Sequence, residues 1–196
     1  MVKRILDVTA ALIGLLILVP LFVVIAILIK LDSPGPVFFN GKRVGQYGKV
    51  FGILKFRSMI PDAPQKGAAI TSQDDPRITR IGKVLRKTKL DELPSLVNVL
   101  KGEMSLVGPR PEAPAWVERY TPHQRAVLNV KPGITGLAQV KYRHEEALLS
   151  RVNLETEYPK IMNDKLSIDL GYVENQSMTL DVRILLETVV ALFRRS

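Results

Sequence analysis

The feature that most constrains this chain is a 25-residue apolar segment at its front. Residues 5–29 contain a single charged side chain, Asp7, near the start of the segment. A helix that crosses a membrane needs about 20 predominantly apolar residues, so this segment is long enough for membrane insertion. A cleaved signal peptide fits less well, because the apolar run is too long and no small-residue cleavage site precedes Lys30. A buried core helix would be unusually long and apolar on every side.

The residues around and inside this segment predict how it enters the membrane. Lys3 and Arg4 precede it and Lys30 follows it. Basic flanks favour the cytoplasmic side, so both ends are predicted to lie there. Pro20 lies near the middle, where it removes a backbone hydrogen bond and favours a kink. We therefore predict a re-entrant path, in which two half-helices dip into one leaflet and return; a kinked spanning helix is the alternative.

The rest of the chain predicts a compact domain of class α+β, mainly helical. The sequence Asp-Ser-Pro-Gly-Pro at 32–36 ends the apolar segment, which divides the chain into a membrane-inserted unit (1–36) and a domain on the cytosolic face (37–196). Apolar residues at 37–39 and 50–54 predict a short β-hairpin whose connection is glycine-rich.

Helical periodicity recurs three times in the domain. It predicts an amphipathic helix over 76–88 with Pro76 in its first turn, a second helix ending at Gly102, and a last helix that begins near Asp181. The last helix has an apolar face and ends in two arginines, which suits an interfacial helix lying on the membrane or an amphipathic helix packed on the core. Residues 60–75 have no periodicity and predict a mobile loop, and residues 151–170 are predicted to be helical in part.

Composition narrows the possible partners and chemistry. The 196 residues carry 28 basic and 19 acidic side chains, a net charge of +9. A basic protein suits anionic partners such as lipid headgroups, nucleic acid or phosphorylated substrates. The chain has no cysteine and two histidines, which excludes disulfides, thiolate metal sites and a thiol nucleophile.

Two adjacent carboxylates, Asp91 and Glu92, follow the most basic stretch of the chain. Residues 77–89 carry six positive side chains and no negative one, and apolar residues recur at helical spacing after the pair. If Asp91 is the N-cap of this helix, Pro94 lies in the first turn and costs no hydrogen bond. A carboxylate there lies beside the positive end of the helix dipole, where anions bind. Ordinary helix capping accounts for the same pair.

Three cations are placed where they could recognise phosphate. Lys55 and Arg57 alternate with apolar residues, as on a strand with one wet face, and Arg110 stands between two prolines that fix its backbone. A fixed guanidinium suits bidentate phosphate binding. A solvent-facing edge strand and an arginine that points to water are the alternatives. The sequence Lys-Pro-Gly at 131–133 predicts a type II turn.

In this order, the motifs resemble those of the bacterial sugar transferases, the monotopic polyprenyl-phosphate phosphoglycosyl transferases. Each motif alone is weak evidence for the family, whereas this many motifs in the same order are specific evidence. This chain is similar to the small members, although many of those have serine where Val19 precedes Pro20. The resemblance rests on the apolar front segment and on the motifs at residues 31–39, 55–59, 75–80, 90–94, 108–111, 131–139 and 180–181.

The resemblance implies a reaction and its nucleophile. A nucleotide diphosphate sugar, usually a UDP-sugar, would donate a phosphosugar to a polyprenyl phosphate such as undecaprenyl phosphate, giving a polyprenyl diphosphate sugar and UMP. This is the first membrane step of a glycoconjugate pathway, at the cytoplasmic face of the bacterial inner membrane. The resemblance implies Asp91 as the nucleophile, through a covalent phosphosugar intermediate, with Glu92 completing the pair. It also implies Mg²⁺, with Asp91 as a ligand.

The resemblance also implies the residues that bind the substrate. By family position, Arg86, Arg110 and Arg143 would contact phosphate or nucleotide, and Lys55 and Arg57 are further candidates for that role. Breaking a diphosphate requires charge neutralisation, for which arginine, Mg²⁺ and helix N-termini are the usual means. Nearby cations would lower the pKa of the nucleophilic carboxylate and keep it ionised.

Two other functions stay open from the sequence. A membrane-anchored basic module that binds lipid or nucleic acid without catalysis fits the charge. However, the aromatic residues, 6% of the chain, are not interleaved with the basic stretch as stacking platforms would be. An inactive scaffold derived from an enzyme would have no need of the intact Asp91–Glu92 pair.

Overall fold

The computed structural model describes residues 2–66, 75–149 and 154–193. Its first element is α1, Val2–Asp32, which continues through Pro20 without a break. The two predicted half-helices are therefore one helix here, because a proline removes a single hydrogen bond and need not end a helix. Within the described ranges, α1 is the one helix long and apolar enough to cross a membrane, by length and composition.

One face of α1 packs against the rest of the protein along the whole helix. Asp7 and Ala11 near its start and Ile25 and Ile29 near its end are buried. Residues on the opposite face are apolar and open, as Ile17 in the middle is 71% exposed. Since buried and half-buried positions together recur every three or four residues, α1 lies alongside the domain with an uncovered apolar face.

The predicted hairpin is confirmed and is longer than expected. Strands β1 (Phe38–Val44) and β2 (Val50–Phe56) pair antiparallel and are joined through the short 3₁₀ turn Gln46–Gly48. The glycine-rich residues at 41–44 belong to β1 rather than to the connection. The register pairs Phe39 with Lys55.

Two short helices follow the hairpin and carry the candidate site between them. Helix α2 is Arg80–Thr88 and α3 is Leu96–Lys101. The start of α2 is later than predicted, because the Thr79 side chain accepts a hydrogen bond from the Gly82 N–H at 3.0 Å and caps the helix there. Gly102, at φ 84°, ends α3 as predicted. Of the predicted loop over 60–75, residues 67–74 lie outside the described ranges.

Two strands of three residues each, β3 (Ser105–Val107) and β4 (Gly133–Thr135), pair in parallel. Gly133 is therefore in a strand and has no positive φ, so the predicted type II turn is wrong. Its glycine serves close packing instead, since a Cβ on Gly133 would stand 2.1 Å from the backbone nitrogen of Gly108. This contact holds the Gly108–Pro109–Arg110 segment against β4.

Five further α-helices and the 3₁₀ helix Gln124–Asn129 belong to the described structure. Helix α7 confirms the partly helical prediction for 151–170 from residue 154 onward, and the last helix, α8, begins within a few residues of the predicted start. The two arginines after α8 lie outside the described residues. Ile184 of α8 is fully buried whereas Leu186 is 63% exposed, so α8 has both a core face and an open apolar face. The bounds are α4 (Pro114–Val117), α5 (Leu137–Lys141), α6 (Glu145–Leu149), α7 (Leu154–Glu174) and α8 (Met178–Phe193). The predicted class, α+β and mainly helical, is confirmed.

Candidate active site

The carboxylate pair lies in a 3₁₀ turn, Leu90–Ser95, between α2 and α3. Lys89 has a left-handed backbone (φ 60°, ψ 16°) that ends α2 and starts this turn. The predicted N-cap role of Asp91 is wrong, because the turn has no side-chain cap bond and Asp91 stands inside it. The chain reversal at Lys89 instead directs both carboxylates toward the hairpin.

Two cations bind the same oxygen of Glu92. Lys55 Nζ lies 2.6 Å from Glu92 Oε1, and Arg110 Nη2 lies 3.1 Å from it. Burial by itself would raise the pKa of Glu92, but the charges of Lys55 and Arg110 outweigh burial and hold that pKa well below its usual range. The Glu92 charge in turn raises the pKa of Arg110. Glu92 is therefore a permanent anion that fixes two cations beside Asp91.

Asp91 has the opposite electrostatic environment. Its side chain is buried, and within the described part of the chain Oδ1 has no hydrogen-bond partner. Burial raises the pKa of Asp91 to about 6, although Lys55 opposes the shift. Lys55, Lys89 and Arg86 lower this pKa, as predicted, but burial outweighs them and the net shift is upward. At pH 7 the group is still mostly ionised and poorly solvated, a state that favours nucleophilic attack.

The residues of the site fit a magnesium ion that is bound jointly by a protein carboxylate and the substrate phosphates. Among the described residues, no three acidic, histidine or cysteine side chains form a metal cluster. Mg²⁺ usually binds to one or two carboxylates together with substrate phosphates and waters, so a protein cluster is not required. The unpaired, buried Oδ1 of Asp91 is an acceptor suited to that ion. Asp91 is the residue that would hold Mg²⁺ together with a bound diphosphate, and this role stays a prediction.

The other predicted cations have different partners. Arg86, in the last turn of α2, carries a charge that lowers the pKa of both Asp91 and Asp75. Arg57 instead donates to the Ser33 carbonyl at 2.7 Å and to the Pro34 carbonyl at 2.7 Å.

These contacts separate the roles of the cations. Arg57 fixes the chain where it leaves α1, because its guanidinium donates hydrogen bonds to Ser33 and Pro34 rather than to the carboxylate pair. Arg143 lies half-buried in the turn after α5, and its substrate contact stays a prediction. Of the predicted set, Lys55 and Arg110 contact Glu92 directly.

Glu92 of the pair lines a small cleft, and Asp91 is not among its lining residues. The cleft is open to solvent, and its empty space, counted together with that solvent-filled opening, is about 270 Å³. Its lining joins the hairpin, the 3₁₀ turn and the Arg110 segment, and includes Arg43, Ile53, Lys55, Glu92, Arg110 and Gly133.

A buried charge cluster behind Arg110 escaped the sequence analysis. Asp169 of α7 is 5% exposed and accepts a hydrogen bond from the Arg110 backbone N–H. Burial raises the pKa of Asp169 to about 7, and its Oδ1 has no hydrogen-bond partner within the described residues. Lys165, one turn earlier, is 4% exposed and bonds Glu145 at 3.1 Å. The one available signal was the i, i+4 spacing of Lys165 and Asp169, which places both on one face of α7.

Comparisons with known proteins agree with the motifs. A family model described as "Bacterial sugar transferase" matches residues 1–195. The exopolysaccharide production protein PSS of Rhizobium leguminosarum bv. phaseoli is 43% identical over 198 residues, covering 96% of this chain and 94% of that protein. A UDP-glucose:undecaprenyl-phosphate glucose-1-phosphate transferase of Caulobacter vibrioides is 40% identical over 193 residues, covering 97% of this chain and 69% of that protein.

Some relatives are much longer than this chain. A UDP-N-acetylgalactosamine-undecaprenyl-phosphate N-acetylgalactosaminephosphotransferase of Aeromonas hydrophila is 42% identical over 192 residues. That match covers 96% of this chain and 43% of the relative, so the chain spans less than half of that protein.

Proposed function

The chain belongs to the bacterial sugar transferase family, and from this premise we propose that it transfers a phosphosugar from a UDP-sugar to undecaprenyl phosphate, releasing UMP. The names of the relatives from Aeromonas and Caulobacter support the donor and acceptor classes. The observation that carries the proposal is the buried Asp91 carboxylate, with its unpaired oxygen, next to a Glu92 that fixes Lys55 and Arg110.

The reaction proceeds in two balanced steps through Asp91. An Asp91 oxygen attacks the phosphorus that carries the sugar, a new O–P bond forms, and the diphosphate P–O bond breaks to release UMP. An oxygen of undecaprenyl phosphate then attacks the same phosphorus, the acyl–phosphate bond breaks, and the Asp91 carboxylate is restored. Bound Mg²⁺ supplies charge neutralisation at the phosphates.

Glu92 acts by holding cations in place. A lysine ammonium has three donors and an arginine guanidinium has five, so Lys55 and Arg110 can bind Glu92 and also reach phosphate oxygens. Because Glu92 fixes both before substrate arrives, little reorganisation is needed as negative charge moves to the leaving UMP. Asp169 fixes the Arg110 backbone from behind.

We propose a location at the cytoplasmic face of the inner membrane, and the contacts of α1 support an arrangement in which both of its ends lie on the side of the domain. Lys3 Nζ bonds Asp181 of α8 at 2.5 Å. Asp7 accepts a hydrogen bond from Ser105 Oγ at 2.8 Å, and Arg4 donates to the Val99 carbonyl at 2.6 Å. The start of α1 is thus attached to the same domain that buries its end.

These attachments favour an α1 with both ends on one side of the membrane over a spanning α1. If α1 crossed the bilayer, the domain residues attached to its two ends would have to lie on opposite sides. A monotopic arrangement instead lets the open face of α1 contact lipid while both ends stay on one side. It also holds the carboxylate pair near the headgroups, where a lipid phosphate is available.

The proposal is tested by UMP release and by trapping the intermediate. The purified full chain in detergent, incubated with a UDP-sugar panel, Mg²⁺ and undecaprenyl phosphate, should release UMP. Asp91→Asn should abolish release, whereas the exposed-site control Asp62→Asn should not. Without acceptor, intact-protein mass spectrometry should show a phosphosugar adduct on the wild type and none on Asp91→Asn.

Two outcomes would contradict the proposal. Unchanged turnover by Asp91→Asn would remove Asp91 as the nucleophile. No UMP release from any UDP-sugar, with binding to anionic vesicles retained, would favour a non-catalytic basic membrane module.

A further inference from the structure

We propose that Phe39 forms the subsite for the first isoprene units of the lipid acceptor, beside the carboxylate pair. The inference rests on the proposed function, because it concerns how that acceptor is held. It is carried by the register of the hairpin, by the exposure of Phe39 and by the attachment of this end of the hairpin to α1.

The hairpin register places Phe39 on the face that carries the site. Phe39 lies directly opposite Lys55, and Gly41 lies opposite Ile53. Directly paired residues project from the same face of an antiparallel sheet, with Cβ atoms about 5 Å apart. Lys55 reaches Glu92 from that face, and Ile53 lines the cleft. Phe39 is therefore the aromatic neighbour of a cation that touches the active pair.

The Phe39 ring is open and lies along its own strand. Phe39 is 43% exposed. A Cβ on Gly41 would stand 2.7 Å from Phe39 Cε1. The ring therefore lies over Gly41 and can do so only because glycine has no side chain. The result is a flat apolar surface at the site edge of β1.

The neighbouring residue connects this end of the hairpin to the membrane helix. Phe38 projects from the opposite face and stacks on Phe56, with ring centroids 5.4 Å apart. Phe56 in turn meets Phe22 of α1 edge-on at 5.0 Å. The open apolar face of α1 and the Phe39 ring are thus attached to one end of the hairpin. An acceptor whose chain lies in lipid and whose phosphate must reach Lys55 would pass this end.

An isoprenoid chain fits this surface better than the uracil of the donor. A nucleobase bound by one aromatic ring gains mainly from stacking on a π-face, and it would be expected on the solvent side. An isoprenoid chain needs only apolar area, which Phe39 supplies on the side attached to α1. Leucine at position 39 would keep the apolar area that an isoprenoid chain needs, but it would remove the aromatic face on which a uracil stacks. This difference provides the test.

The test compares variants of two adjacent phenylalanines that are both 43% exposed. Phe39→Ala should raise KM for undecaprenyl phosphate about five- to ten-fold and leave KM for the UDP-sugar unchanged. Phe39→Leu should restore most of the loss. Phe38→Ala is the matched control on the other face and should not change acceptor KM; if it fails to fold, Val50→Ala at the far end of β2 replaces it.

A catalysis-independent arm keeps the subsite test separate from the proposed function. Protection from thermal unfolding by undecaprenyl phosphate should need about five- to ten-fold more lipid for Phe39→Ala than for wild type, even if no donor is turned over. Co-sedimentation with vesicles free of undecaprenyl phosphate should be the same for both proteins. Loss of vesicle binding with unchanged acceptor affinity would make Phe39 a bilayer contact and overturn the proposal, as would a raised KM for the UDP-sugar that leucine does not restore.

Discussion

Adjacent carboxylates in this site have opposite electrostatic roles, and the difference arises from their partners. Glu92 receives Lys55 and Arg110 on one oxygen, whereas Asp91 is buried with an unpaired oxygen. Cations therefore dominate one carboxylate and desolvation dominates the other. The sequence predicted the pair and its basic surroundings. It could not predict the burial of Asp91, because burial depends on how the 3₁₀ turn packs against the hairpin.

The first prediction follows from the pKa of Asp91, about 6. A protonated carboxylic acid is a poor nucleophile, so kcat/KM for the UDP-sugar should fall below pH 6 with a limb near that value. In Lys55→Met the largest opposing charge is lost, so the limb should move to higher pH. Initial rates of UMP release between pH 4.5 and 8.5 measure both limbs. A limb at the same pH in both proteins would contradict this account of Asp91.

The second prediction concerns Asp169, whose pKa burial raises to about 7. An unfolded aspartate has a pKa near 3.9, so the native state binds more protons between these values. The contribution of Asp169 to stability is thus greatest below about pH 4 and is lost as pH rises to about 7. Asp169→Asn should remove this pH dependence, about 2–4 kcal/mol across the window. Urea unfolding at pH 5 and pH 8 measures it, and parallel changes in both proteins would contradict it.

At the scale of elements, sequence patterns predicted the helices and strands whose formation depends on neighbouring residues. Two short apolar runs joined by a glycine-rich stretch predicted the hairpin, and Gly102 predicted the end of α3. The start of α2 was misplaced, because Pro76 and Thr79 are both plausible helix starts and the Gly82 N–H selects Thr79. The 3₁₀ turn was missed because a proline at the third position after Asp91 suits an α-helical first turn equally well. The pairing of β3 with β4 was missed because each has only three residues.

The third prediction tests the close packing of those strands. Gly133→Ala would put a methyl group 2.1 Å from the Gly108 nitrogen and 2.4 Å from the Thr135 carbonyl. Both contacts are backbone, so the strands must move apart, at a cost of about 2–3 kcal/mol. Because Gly108 adjoins the Arg110 segment, kcat should also fall. Gly171→Ala is the control: nothing lies within 4 Å of its Cβ position in α7, so the helix should gain about 0.5–1 kcal/mol.

Thermal unfolding and turnover of the two alanine variants check this prediction. The melting temperature of Gly133→Ala should drop by several degrees while that of Gly171→Ala rises. Equal melting temperatures would show that the parallel strands tolerate a side chain at this position.

At the scale of the whole molecule, α1 is joined to the domain at both ends. The flanking charges predicted both ends on one side, and the contacts give a physical reason. Lys3 and Asp181 are separated by 178 residues, so no local pattern could have paired them. The same holds for Asp7 with Ser105, which are 98 residues apart. Long-range polar contacts thus decide how a segment long enough to span is held.

The last prediction uses the absence of cysteine from this chain, which makes single-cysteine labelling clean. Val2→Cys and Lys30→Cys stand at opposite ends of α1, and Ile17→Cys stands on its open middle face. If both ends of α1 lie on the cytoplasmic side, a membrane-impermeant maleimide should label both end positions in inside-out vesicles and neither in right-side-out vesicles. Cysteine at 17 should resist labelling from both sides until detergent is added, because lipid covers it. Labelling of the two ends from opposite sides would establish a spanning helix, and the contacts of Lys3 and Asp7 with the domain would then have to break on insertion.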